Sequence, residues 1–300
     1  MFETDYKKIT NQINSFDPYT YAYTRNYYNG SVSKLSPYVS RGVISTKIIY
    51  EKLIDNKFNL KKCEKFVQEL AWRDFWQQIW VNHGDKINDD FKHPQSDFED
   101  YMLCNSILNG ETGINAIDQE IKNLYDSGYM HNHMRMYVAS IATNIAKSHW
   151  KQPAKWMYYH LLDGDWASNA LSWQWVAGSN SNKKYYANQE NINKYFNSTQ
   201  KNSFIDCSYD HFQSMDIPES LVKKINFNFE LNLPSKEEIK IDSTLPTLLF
   251  NYYNIDPNWR ANEKTNKLLI FEPELFKMYP VSKKCIDFCL ELSKNINDIQ

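Results

Sequence analysis

Residues Leu162–Val176 (Leu-Asp-Gly-Asp-Trp-Ala-Ser-Asn-Ala-Leu-Ser-Trp-Gln-Trp-Val) constrain the fold more than any other stretch of this chain. Two acids flank a glycine, an asparagine follows four residues after the second acid, and two tryptophans bracket a glutamine. Gly164 suits a backbone that turns sharply or approaches a ligand closely. Asp163, Asp165 and Asn169 supply acceptors, and the asparagine a donor, to whatever lies in that turn. Trp173 and Trp175 are large and apolar, each with one N–H that needs a partner if buried. With the preceding helix that carries His131–Met136, the stretch reads as a turn walling a site for an aromatic, hydrogen-bonding ligand.

Aromatic residues make up 15% of the chain, and of its 9 tryptophans only Trp259 lies outside the segment Trp72–Trp175. That clustering favours stacking surfaces gathered in one segment, with an aromatic-heavy core as the alternative. A hydrophobic content of 42% and a charged content of 23% are globular values. The length suits one large domain or two ordinary ones. A formal net charge of -2 does not by itself announce nucleic acid. Segment 122–200 carries an excess of Lys and Arg over Asp and Glu, compatible with phosphate binding, whereas residues 201–300 lean acidic. The 5 cysteines are scattered with no CxxC pair, which argues against a disulfide framework and for a reducing compartment. No run approaches the ~20 apolar residues of a membrane span, and no apolar signal segment opens the chain. A soluble, cytoplasmic protein is expected.

Along the chain, periodicity predicts helices over Thr4–Phe16, Thr46–Leu53, Leu60–Asn82, Ile114–Tyr125, Met130–Trp150 and Pro153–Leu162. Asn29-Gly30 marks a turn. In Ser31–Gly42 the hydroxyls, Lys34 and the amides ahead of Pro37 are suitable phosphate donors; the alternative is an ordinary N-cap at Ser36. On the helix Leu60–Asn82, Phe66, Val67, Leu70 and Phe75 form an inward stripe. Glu69, Trp72, Arg73, Trp76 and Trp80 share a second face. That face can line a groove where indoles stack on bases, or the helix is buried on two sides with Glu69 and Arg73 paired. His131 and His133 stand two apart, on different faces, with no Cys or acid at ligand spacing, so no metal is expected. Cys285 and Cys289 read as one packed helix face. Residues 210–260, with Pro218, Pro234, Pro246 and Pro257, read as a coil-rich wrap. Asn266–Glu272 reads as a short strand and Ser282–Asn295 as an amphipathic helix, the start of an α/β unit with no further strand to complete a sheet.

Four separated stretches point one way: Ser33-Lys-Leu-Ser-Pro-Tyr38, Glu69-Leu-Ala-Trp-Arg-Asp-Phe75, His131-Asn-His-Met-Arg-Met136, and Asp163-Gly-Asp with Asn169 and Trp173-Gln-Trp175. In order and spacing they resemble the flavin-binding helical domain of DNA photolyases and cryptochromes, over roughly Tyr6–Phe196. The resemblance implies a mainly α, all-helical FAD-binding domain over 1–205. A proline-containing wrap or linker (206–262) and a partial α/β unit (263–300) complete the chain.

The resemblance also implies roles. Tyr21 and the loop Val32, Ser33, Lys34, Leu35 and Ser36, in place of the family's Thr-Ser-Arg-Leu-Ser, would face the FAD diphosphate. Asp163 and Asp165 would bond the ribityl and isoalloxazine groups, with Arg135 pairing near Asp163 and Phe66 and Gly164 also against the cofactor. Asn169 would meet the reactive flavin nitrogen, and Trp173 and Trp150 would be the first two members of an electron-transfer chain. In photolyases the reduced, excited flavin donates an electron to a pyrimidine dimer, the ring splits and the electron returns. By that analogy Glu69, Trp72, Arg73, Asn132, His133, Met136 and Trp175 would contact the flipped lesion in damaged DNA, with Arg25 on a flanking phosphate. Asn132 and Met136 resemble the cyclobutane-dimer enzymes. The chain departs from the pattern at Val32, at Leu171-Ser172 where the family has Gly-Gly, and near Asp97, where there is no third tryptophan: either Tyr101 substitutes for it or the electron-transfer chain is shorter. The usual N-terminal antenna domain is not expected. Repair is the leading expectation. A cryptochrome-like photosensory flavoprotein acting through a protein partner is the alternative, and a flavin-binding remnant a third.

Overall fold

Three of the first four helices begin where the sequence offers a cap. Asp5 accepts from the Lys8 amide ahead of Tyr6–Ser15, Asp17 from the Tyr19 and Thr20 amides ahead of Pro18–Thr24, and Ser45 from the Ile48 amide ahead of Thr46–Asp55. Because Asp5 takes the cap, Thr4 stands outside the first helix. These contacts come from a computed structural model that describes residues 2–235 and 238–300.

The long helix spans Glu64–His83 and stops at Gly84, whose φ of 56° a side chain would strain. Phe66 is buried on it, but Phe75, expected in the inward stripe, is exposed. Its ring packs instead edge-on to Trp72 at 5.6 Å and against Trp76 at 5.1 Å.

The helix expected over Met130–Trp150 is shorter. It runs Asn132–Ser140 and ends in a π turn over Ile141–Ile145, closed by the Ala146 amide on the Ile141 carbonyl at 2.8 Å. Lys147, at φ 52°, breaks the chain direction. Trp150 therefore caps the next helix, Lys151–His160.

The Leu162–Val176 stretch is mostly helix rather than turn. Only the residues up to Asp165 turn, and Trp166–Ala177 forms a helix ended by Gly178 in the left-handed region. It packs against Glu64–His83, Asn132–Ser140 and Lys151–His160, so nearly every face is apolar and buried. Its one buried polar side chain near the C-terminal end, Gln174, is satisfied: it donates to the Ile87 carbonyl at 2.9 Å and accepts from the Phe91 amide at 2.8 Å.

The C-terminal region holds a strand that the proline-rich reading missed. Thr247–Asn251 pairs in parallel with Asn266–Ile270, so the boundary expected at residue 262 runs through one small α/β unit. Helices Pro273–Met278 and Lys283–Ser293 complete it. This unit packs on the helical body: the Ser282 amide bonds the Tyr159 carbonyl at 2.8 Å, and Asn295 bonds Thr4 and Tyr6. Cys285 and Cys289 are buried on one helix face, and all five cysteines are free. Among the described residues no helix is long and apolar enough to cross a membrane.

Candidate functional site

The site is built around the turn between Lys151–His160 and Trp166–Ala177. Gly164 fits because a Cβ there would lie 2.9 Å from the Leu161 carbonyl oxygen and 3.1 Å from that of Tyr158. On one side of it, buried Asp163 accepts from Arg135 Nη2 at 2.9 and 3.1 Å and from Ser36 Oγ at 2.7 Å. Arg135 is itself held by its Nε on the Met130 carbonyl at 2.9 Å. On the other side, buried Asp165 accepts from Gln77 Nε2 and, at 2.8 Å, from Ser168 Oγ. Arg73 Nε lies 3.9 Å from it, with no hydrogen-bond partner of its own among the described residues. Ser40 Oγ donates to the Asp163 backbone carbonyl at 2.9 Å. Both carboxylates are thus oriented by charge-assisted or hydroxyl and amide bonds before any ligand arrives.

They open onto a cavity of about 750 Å³, the size range of small-molecule and cofactor sites. Trp166–Ala177 contributes Asn169, Trp173 and Trp175, the Asn132–Ser140 helix contributes Asn132, Arg135 and Met136, and the long helix contributes Glu69, Trp72 and Trp76. Trp173 is 2% exposed and lies deep, whereas Trp72 at 50% and Trp175 at 41% form the rim. Trp72 and Trp76 stack at 5.3 Å. Asn169 Nδ2 donates to the Ala154 carbonyl at 2.8 Å, which leaves its own carbonyl oxygen available. Burial pushes the Glu69 carboxyl up, and Arg25, 3.8 Å away, pulls it back.

Not every residue expected at the site lines this cavity. Tyr21 and Phe66 pack edge to face at 5.1 Å, with Phe16 against both, away from it. In the 32–36 loop, Leu35 is buried and Val32 and Lys34 line a second cavity of about 370 Å³ with Glu120 and His131. Only Ser36 reaches the turn. It is also not the N-cap of Ser36–Ser40, since Leu35 holds that position. Arg73 turns to Asp165 rather than to the rim. His131 precedes its helix, so it and His133 both reach Phe196 despite their spacing, at 5.3 and 6.5 Å. Burial lowers both histidines to about 4, leaving them neutral. Among the described residues no cluster of His, Cys, Asp and Glu could hold a metal. Trp150 is fully buried, its Nε1 donating to Asp90 Oδ1 at 2.7 Å. Exposed Tyr101 approaches it through His149, at 4.6 and then 5.7 Å.

The sequence reading missed Gln77 and Ser168. Gln77 carries a usable signal, since it continues the i,i+4 row Glu69, Arg73 on the long helix.

Residues 66–218 match the family model of the FAD binding domain of DNA photolyase. The chain is 31% identical over 154 residues to a deoxyribodipyrimidine photo-lyase of Alkalihalophilus pseudofirmus, covering 48% of this chain and 31% of that protein. A second, from Buchnera aphidicola, is 28% identical over 252 residues, covering 81% of this chain and 49% of that protein. Among solved structures, a cryptochrome of Synechocystis shares the fold at a TM-score of 0.57 and 23% identity, over 65% of this chain and 44% of that one. The chain spans between about a third and a half of the length of these relatives. It belongs to the family of the FAD-binding domain of DNA photolyase, a mainly helical fold whose cofactor is FAD.

Proposed function

We propose that the large cavity holds FAD and that the chain uses it for blue-light-driven repair of cyclobutane pyrimidine dimers in DNA. The cavity's own residues fit FAD. Two preoriented carboxylates and the free Asn169 oxygen are acceptors for ring N–H and ribityl O–H groups, and Trp173, Met136 and Val176 offer apolar walls. Bound there, FAD would supply light-driven one-electron chemistry. Arg135 holds Asp163, and Gln77 and Ser168 hold Asp165, so these acceptors need no reorganisation on binding. Trp173, buried in the cavity wall, is on this reading the first electron donor to the flavin, with the fully buried Trp150 as the second.

One observation carries the substrate reading. Glu69, Trp72, Asn132, Met136 and Trp175 converge on the opening of the same cavity whose floor bears Asp163, Asp165 and Asn169. An unstacked dimer needs such apolar and stacking walls, with polar groups for the base edges. Arg25, held beside Glu69, is the cation for a flanking phosphate. Irradiating the FAD-loaded, reduced chain with dimer-containing oligonucleotide should restore intact pyrimidines; no repair by a chain that holds reduced FAD refutes the reading.

A photosensory role through a protein partner draws on the net charge of -2 and on Arg73 facing inward to Asp165. Lesion-specific binding that weakens steeply with salt would decide against it. The five free cysteines favour a reducing, cytoplasmic setting for either role.

A further inference from the structure

Arg41 follows the short helix Ser36–Ser40 and is fully buried. Its Nη2 donates to the carbonyl of Gly164, the residue between the two turn acids. Its Nε and Nη1 have no hydrogen-bond partner among the described residues. What faces the guanidinium is aromatic: its carbon lies 3.6 Å from the Tyr252 ring centroid and 5.0 Å from that of Tyr253. A buried charge without an anion is costly, and an apolar side chain of similar volume would serve packing alone better. Packing is therefore a poor reason for an arginine here. The bond to Gly164 is a better one.

The C-terminal unit closes on this contact. The Ile255 amide donates to the Arg41 carbonyl at 3.0 Å. At Gly42, with φ at 64°, a Cβ would lie 2.3 Å from the Tyr253 carbonyl oxygen, so the two backbones touch. The Tyr253 hydroxyl bonds that of Tyr158, whose carbonyl oxygen crowds Gly164 from the other side. Arg41, Gly164, Tyr158 and Tyr253 thus form a closed ring of contacts, with Tyr252 stacked on its guanidinium.

We propose that Arg41 is a positioning residue for the Asp163–Asp165 turn, and that the C-terminal segment Tyr252–Ile255 is the clamp that holds it there. Rotation of the Gly164 peptide would carry Asp163 away from Arg135 and Asp165 away from Gln77. By fixing that carbonyl, Arg41 sets the aim of both carboxylates into the cavity. The C-terminal unit is on this account part of the FAD site without lining it, and the claim rests on the FAD reading above.

The test uses the full chain as Arg41→Met, Arg41→Lys and Tyr252→Leu, titrated with FAD by flavin fluorescence, with thermal unfolding of each apo protein. Arg41→Met should weaken FAD binding by at least about tenfold while its apo Tm holds or rises. Arg41→Lys, which keeps a donor for the Gly164 carbonyl, should recover most of that loss. Tyr252→Leu should weaken binding and add little on top of Arg41→Met. The proposal is overturned if Arg41→Met binds FAD within about twofold of the unaltered chain, or if the Met and Lys variants lose affinity and Tm equally. Amide hydrogen exchange over residues 161–166 of the apo protein separates the two readings. If the unaltered chain takes up no FAD, the FAD reading fails, and the clamp then stands or falls on whether Arg41→Met speeds exchange there.

Discussion

Replacing Asp163 by asparagine keeps the shape of the side chain and removes its charge. Arg135 then stays in place with its side chain only 21% exposed, facing an amide where a carboxylate 4% exposed had been. Breaking a buried ion pair from one side costs about 3–5 kcal/mol. The guanidinium keeps its bond to the Met130 carbonyl and some access to solvent, which brings the expected loss to roughly 2–3 kcal/mol. For a chain of 300 residues that corresponds to a fall in Tm of roughly 3–5 °C, read by circular dichroism on the apo protein. The double variant Asp163→Leu with Arg135→Met should recover most of the lost stability, since an apolar pair removes the stranded charge, and should still fail to retain FAD. A fall of less than about 2 °C in the single variant would refute the reasoning, because it would place the pair among solvated ion pairs worth about 0–1 kcal/mol.

Further expectations follow from the same geometry. Gly164→Ala forces a methyl against the Leu161 and Tyr158 carbonyl oxygens and should cost about 1–3 kcal/mol by denaturant unfolding; an unchanged midpoint would show that the turn can relax. Burial lowers His131, His133 and His160 to about 4, whereas an unfolded histidine titrates near pH ~6.5. Protons therefore bind the unfolded chain first, so this stability is full above about pH 6.5 and is lost as pH falls towards 4, by up to about 1.4 kcal/mol per histidine per pH unit. A Tm that stays flat across that window would contradict the burial of these rings. Trp173→Phe should leave FAD affinity intact and slow light-driven flavin reduction, followed by absorbance under blue light; an unchanged rate would remove Trp173 from the electron path.

The site's floor was legible because its chemistry is local: Asp163, Gly164, Asp165 and Asn169 lie within one short stretch, and Trp173 and Trp175 follow on the same helix. What escaped the sequence is non-local. Strand Thr247–Asn251 was hidden because its alternation, buried Leu248 and Phe250 around exposed Leu249, is masked by an apolar residue on the outer face. Its partner is parallel and reached through a coil, which no short-range signal announces. The π turn at Ile141–Ile145 continues the apolar period of the helix before it, so periodicity ran on to Trp150. Arg41 was invisible for a different reason: a charged residue is expected outside, and only the fold reveals the Tyr252 ring and Gly164 carbonyl that hold it. Ser36 looked like a cap because its position suits one, yet its hydroxyl is spent on Asp163, far along the chain.

The most direct test of the central claim, that the 750 Å³ cavity is an FAD site built on the Asp163–Asp165 turn, is an absorption spectrum of the protein after reconstitution with FAD and removal of the excess. The account predicts one bound flavin per chain, with the oxidised bands bleaching under blue light when an external reductant is present, and no retained flavin in Asp163→Asn. A colourless protein, or an Asp163→Asn variant that holds FAD as well as the unaltered chain, would contradict it.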